Sequence, residues 1–91
     1  MRTIERGCTY DDDTRDWAIW MNKPKGLEIE DKVLYNRLVG TSKCYLRNVI
    51  NRKGIPMLVL KGTLEYPVRD LNGLFIQLRT DFTKYIRSQQ K

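Results

Sequence analysis

The longest run of regularly spaced apolar positions lies at the C-terminal end. Leu71, Leu74, Phe75, Leu78, Phe82, Tyr85 and Ile86 recur at spacings of three and four, and one helix from about Val68 to about Ser88 accounts for all of them. Gly73 weakens that helix, because glycine costs about 1 kcal/mol relative to alanine in a helix interior. The competing reading places a turn at Asn72-Gly73, a strand at Leu74–Leu78 and a helix capped by Thr80. Pro67 suits the first turn of the helix in the continuous reading. Residues 40–54 give a second pattern. Leu46, Val49, Ile50 and the stem of Lys53 form a helical apolar stripe, with Ser42 as its cap and Gly54 after its last turn. Lys43, Arg47, Asn48 and Asn51 occupy the other face, with Arg52 at the end and no acid in the segment. A short helix of that kind fits a DNA major groove. It also fits an ordinary amphipathic helix with a solvated basic face.

The preceding chain is read in order. Residues 1–10 have no clear period and form a frayed end or a short strand. Asp11-Asp12-Asp13 suits a helix start, where carboxylates meet the positive end of the macrodipole. As a metal site the cluster lacks spaced partner ligands. Trp17, Trp20 and Met21 then fall at i, i+3 and i+4, a face for core packing or for docking a partner. Lys23-Pro24-Lys25-Gly26 ends this element in a turn. Leu27 to Val39 reads as another helix, and Gly40-Thr41-Ser42 joins it to the basic helix through a short turn. That order is a helix-turn-helix. After Gly54, Ile55–Leu60 and Thr63–Tyr66 read as a small hairpin with Lys61 at its tip.

Charge sharpens the picture more than composition does. The net +6 is split into −3 over residues 1–31 and +9 over residues 32–91, which favours a polyanionic partner for the basic part, nucleic acid before an anionic membrane. No apolar run approaches the roughly 20 residues of a membrane-spanning helix, and residues 1–7 have no signal-peptide core, so the expected location is cytoplasmic. The chain has no histidine and two distant cysteines, Cys8 and Cys44, expected as free thiols. It offers no Ser-His or Cys-His pair, no phosphate loop and no usual zinc ligand set, so neither an enzyme nor a cofactor is expected.

The order of elements resembles the winged helix-turn-helix domain of phage and transposon excisionases, whose DNA-binding fold the mercury-resistance-type regulators share. The likeness is carried by Gly40-Thr41-Ser42-Lys43, by Leu46–Ile50, by Lys53-Gly54-Ile55-Pro56, by the wing Leu58–Pro67 and by Val68–Phe75. It covers about residues 27–78. The family often has a small alanine in the first helix of the motif, where this chain has Tyr35-Asn36, and arginines in the wing, where this chain has Lys61 and Glu65. The fold implied is α+β and mostly helical: a winged helix-turn-helix over residues 27–91, with a two-stranded wing and a long C-terminal helix. Residues 1–26 are then an acidic, tryptophan-containing extension.

The resemblance implies a sequence-specific double-stranded DNA-binding protein of a phage or mobile element. It would bend DNA beside a recombination site, in several copies and together with an integrase. Lys43, Tyr45, Arg47 and Asn48 would face the major groove. Thr41, Ser42, Asn51, Arg52 and Lys53 would hold phosphates, and Lys61 would be the wing contact. A small transcriptional regulator uses the same domain. The alternative of another class is a phage-type module that binds a host protein through Trp17, Trp20 and Phe82.

Overall fold

A computed structural model describes residues 2–5, 7–35 and 43–90. Six antiparallel strands form one sheet: β1 (Arg2–Glu5), β2 (Cys8–Tyr10), β3 (Asp16–Asn22), β4 (Lys32–Tyr35), β5 (Lys43–Ile50) and β6 (Pro56–Thr63), in the order β1-β2-β3-β6-β5-β4. One helix, α1 (Leu71–Gln89), follows. The mostly helical winged helix-turn-helix is therefore overturned. The segment expected to be the groove-binding helix is β5, in the body of the sheet, and the expected Trp17–Met21 helix is β3. The expected wing is the single strand β6, which runs through Lys61-Gly62 without a turn. Lys32–Tyr35, within the expected Leu27–Val39 helix, is β4. The Gly40-Thr41-Ser42 turn lies outside the described residues. Within residues 1–26, expected as an extension, β1, β2 and β3 belong to the same sheet as the rest.

The strand pattern is a period of two. In β5, Cys44 and Leu46 are buried and Lys43, Tyr45 and Arg47 are exposed. In β3, Trp17 and Ile19 are buried between Asp16, Ala18 and Trp20; in β6, Leu58 and Leu60 alternate with Met57, Val59 and Lys61. Successive side chains of a strand point to opposite faces. The register stacks the buried sets in rows, with Cys8, Ile19, Leu60 and Leu46 in one and Tyr10, Trp17, Gly62, Cys44 and Leu34 in the next. Gly62 is required where it is, because a Cβ there would lie 2.6 Å from Trp17 Cζ2.

Helix α1 covers this face. The long-period reading of Val68–Ser88 is present as Leu71–Gln89, and Phe75, Leu78, Phe82 and Ile86 are its buried stripe. Asp70 caps it, its Oδ1 accepting the Gly73 N–H at 2.9 Å. Phe75 meets Tyr10 and Trp17 edge-on, with centroids 6.1 and 6.3 Å apart. The chain between β3 and β4 also runs on this side, with Leu27 and Ile29 packed into the core and residues 25–28 beside Gln89 and Gln90. It starts at the expected turn, closed by the Leu27 N–H on the Pro24 carbonyl at 3.2 Å with Gly26 at φ +82°. The Asp11 cluster makes a turn rather than a helix start. Asp11 Oδ1 accepts the N–H groups of Thr14 and Asp13, in that order of effect, and they hold its carboxyl below the ordinary 3.8.

Candidate functional site

With α1 and the crossover both on one side, the other face of the sheet is left open among the described residues. Its side chains are set by the register. One row runs Thr3, Thr9, Ala18, Lys61, Tyr45 and Val33 across all six strands. Trp20, Val59 and Arg47 form the next row on the central strands, and Asn22, Met57 and Val49 the one after. Asp16 and Thr63 pair at the opposite end, with the Thr63 hydroxyl donating to Asp16 Oδ1. Lys43, Arg47 and Lys61 are exposed, Tyr45 is 40% exposed and Trp20 is half-buried. The face thus has a basic half around Tyr45 and an apolar half around Trp20.

Ala18 leaves space beside the larger members of its row. A hollow of ≈ 380 Å³ opens there, lined by Asp16, Ala18, Tyr45, Arg47, Lys61 and Thr63, with Trp17 and Gly62 completing its lining. Lys43 Nζ sits 5.2 Å from the centroid of the Tyr45 ring, within cation–π range. An aromatic ring, three cations, one carboxylate and a hydroxyl thus meet on one surface. Planar, anionic, hydrogen-bonding molecules suit that set of groups.

Four expected DNA contacts are therefore brought together, though by a sheet and not by a helix: Lys43, Tyr45, Arg47 and the expected wing residue Lys61. Asn48 is not with them. Its position in β5 faces the covered side, and its donors are spent on the crossover: Nδ2 on the Ile29 carbonyl at 2.8 Å and on Asp31 Oδ1 at 2.9 Å, and its N–H on Asp31 Oδ1 at 2.7 Å. Asn48 is a clamp rather than a base reader. The hydrogen bonds from its side chain first, and its main chain second, hold the Asp31 carboxyl below 3.8. Asn51 also has a structural task. Its Oδ1 accepts the N–H groups of Lys53 and Ile55, both at 2.9 Å, and organises the β5–β6 hairpin. Gly54, at φ +79°, completes that three-residue turn, leaving Arg52 and Lys53 exposed at the tip. Thr41 and Ser42 lie outside the described residues.

The expected protein-docking set is divided. Trp17 and Phe82 are each 1% exposed and belong to the core, so neither is a docking anchor. Trp20 is on the opposite face of the sheet from Trp17. A spacing of three puts two residues on one side of a helix and on opposite sides of a strand. Asp16, Ala18, Val59 and Thr63 were not expected at the site. The signal for Asp16 and Ala18 was the alternation of Asp16–Asn22, which reads as a half-buried strand once Trp20 is allowed to face outward.

No described helix is long and apolar enough to cross a membrane. Comparison with known protein families, with characterised proteins and with solved structures found no match, so the reading of this face rests on its own geometry.

Proposed function

We propose that the protein binds single-stranded nucleic acid across the open face of its sheet. The observation that carries this reading is the grouping of Tyr45 and Trp20 with Lys43, Arg47 and Lys61 on a face that no other described element covers. Single strands are bound by cations that follow the backbone and by aromatic rings on which bases stack, each stacked base contributing about 1–3 kcal/mol. The protein keeps the polyanionic partner that its charge distribution suggests, and the mode of contact changes.

Geometry favours a single strand over a duplex. A major groove about 12 Å wide admits a helix or a two-stranded ribbon. The basic side chains here stand on β5 and β6, flanked by β3 on one side and β4 on the other. With strands about 4.8 Å apart, such a sheet is too broad to enter a groove. An unpaired strand can lie across it with its bases turned down onto Tyr45 and Trp20. Leu46–Ile50 and Leu58–Thr63, which carried the recognition-helix and wing parts of the likeness to excisionases, lie on these strands, so the excision reading has no helix-in-groove argument behind it.

The test is the affinity for a labelled 12-nucleotide single strand and for the matching duplex over a series of salt concentrations. The expected result is tighter binding of the single strand. Its log–log salt slope should be near −2, about 0.7 for each of three neutralised phosphates. Tighter duplex binding would overturn the reading and favour a double-stranded target, with excision or transcriptional regulation behind it. Salt-independent binding would remove the role of the cations.

A further inference from the structure

We propose that the hollow beside Tyr45 is a base-selective subsite that accepts guanine, with Asp16 as the residue that selects it. This rests on the single-strand reading and names the base taken at that site. The argument starts from a mismatch of charge. Arg47 and Lys61 suit phosphates, yet the hollow that they line also carries the carboxylate of Asp16, which repels them. Asp16 is exposed, so burial gives no reason for it. A carboxylate is an acceptor only, with two oxygens and about four lone-pair positions. The Thr63 hydroxyl occupies one of these on Oδ1 and leaves the others open.

The nucleobases differ in what they offer such an acceptor. Guanine presents two adjacent donors on its Watson–Crick edge, N1–H and N2–H₂, which pair with both oxygens of a carboxylate. Adenine and cytosine present one amine beside an acceptor. Thymine and uracil present one N–H between two carbonyls, which repel a carboxylate. The other edge of guanine carries O6 and N7, the acceptors that Arg and Lys donate to most often. Arg47 and Lys61 line the same hollow as Asp16. A guanine lying against the Tyr45 ring therefore meets acceptors where it has donors and donors where it has acceptors. Ala18 leaves room for it between them.

The experiment measures anisotropy of labelled 11-nucleotide thymidine strands bound to the full chain, with a central thymine, guanine, adenine, cytosine or hypoxanthine. A central guanine should tighten binding about tenfold over thymine, and adenine and cytosine should not. Hypoxanthine, which lacks the 2-amino group, should recover only part of the gain. Asp16→Asn keeps an acceptor for Thr63 but loses the charge; it should abolish the guanine gain and raise affinity for the all-thymidine strand. The inference is overturned by equal affinity for all central bases, by a preference for adenine or cytosine, by hypoxanthine matching guanine, or by a guanine gain that survives Asp16→Asn. All four leave the single-strand reading standing. No binding of any strand overturns both.

Discussion

The two faces of the sheet are built from the same strands by the same alternation, and they differ in what the outward residues have to do. On the covered face Trp17, Ile19, Leu58, Leu60, Cys44 and Leu46 meet the stripe of α1, and every one is at most 1% exposed. On the open face Ala18, Trp20, Val59, Lys61, Tyr45 and Arg47 alternate with them and are half-buried or exposed. Packing explains the first set. It does not explain the second, where an aromatic ring and cations stand together with nothing described to cover them. Asn48, a polar residue on the covered face of the internal strand β5, is matched by a partner on the crossover. Among the described residues neither Lys61 nor Arg47 has a side-chain hydrogen bond of that kind, though Arg47 lies within electrostatic reach of the Asp31 carboxylate. The comparison separates residues that hold the fold from residues for which packing gives no reason.

Substitutions should respect that division. The largest effect is expected from Phe75→Ala, which removes a fully buried ring from its contacts with Tyr10 and Trp17. It should lower unfolding free energy by about 3–5 kcal/mol in urea denaturation, a large part of the stability of a domain this small. Gly62→Ala comes next. Its Cβ would press on Trp17, and overpacking of that kind costs about 1–3 kcal/mol. On the open face, Tyr45→Ala should change stability by less than about 1 kcal/mol while weakening single-strand binding by about 1–3 kcal/mol, read by anisotropy. Lys61→Gln or Arg47→Gln should each reduce the salt slope by about 0.7 and leave the melting temperature nearly unchanged. A large loss of stability in either lysine or arginine variant would erase the distinction between the faces.

The smallest effect concerns acid. The folded pKa of Asp31 lies below 3.8, because Asn48 donates to its charged form. Its stabilising contribution is therefore present above pH 3.8 and lost as pH falls through the lower folded value. Between pH 5 and pH 3 the wild type should lose slightly more stability than Asp31→Asn, measured by thermal unfolding at each pH. Equal losses would show that the Asn48 clamp does not depend on the charge.

Parts of this were legible in the sequence. The period of α1 persists over 19 residues, which favours one helix over a short strand and a second helix, and its positions Phe75, Leu78, Phe82 and Ile86 are the buried stripe. The turn at residues 23–26 was marked by its proline and glycine. Charge placed Lys43, Arg47 and Lys61 in the basic part of the chain. The strands were harder for a physical reason. Over eight residues, Leu46, Val49 and Ile50 satisfy a helical stripe as well as Cys44 and Leu46 satisfy a strand, and Asn48 at a covered position hides the alternation. Its compensation by Asp31, 17 residues away, is a tertiary fact. In β3, the outward Trp20 hid the same alternation. Both exceptions are residues with a particular task, one as a clamp and one on the open face.

The two tryptophans offer the most direct test, because they report on opposite faces of one strand. Trp17 is buried beneath α1, and Trp20 stands on the open face beside Val59, one row from Lys61 and Tyr45. Their indole N–H resonances can be followed in a ¹⁵N-edited spectrum while a single-stranded oligonucleotide is added. The account predicts that the Trp20 signal shifts with saturation and that the Trp17 signal stays in place. A shift confined to Trp17, or no shift in either while binding proceeds, would contradict it and move the ligand away from the open face.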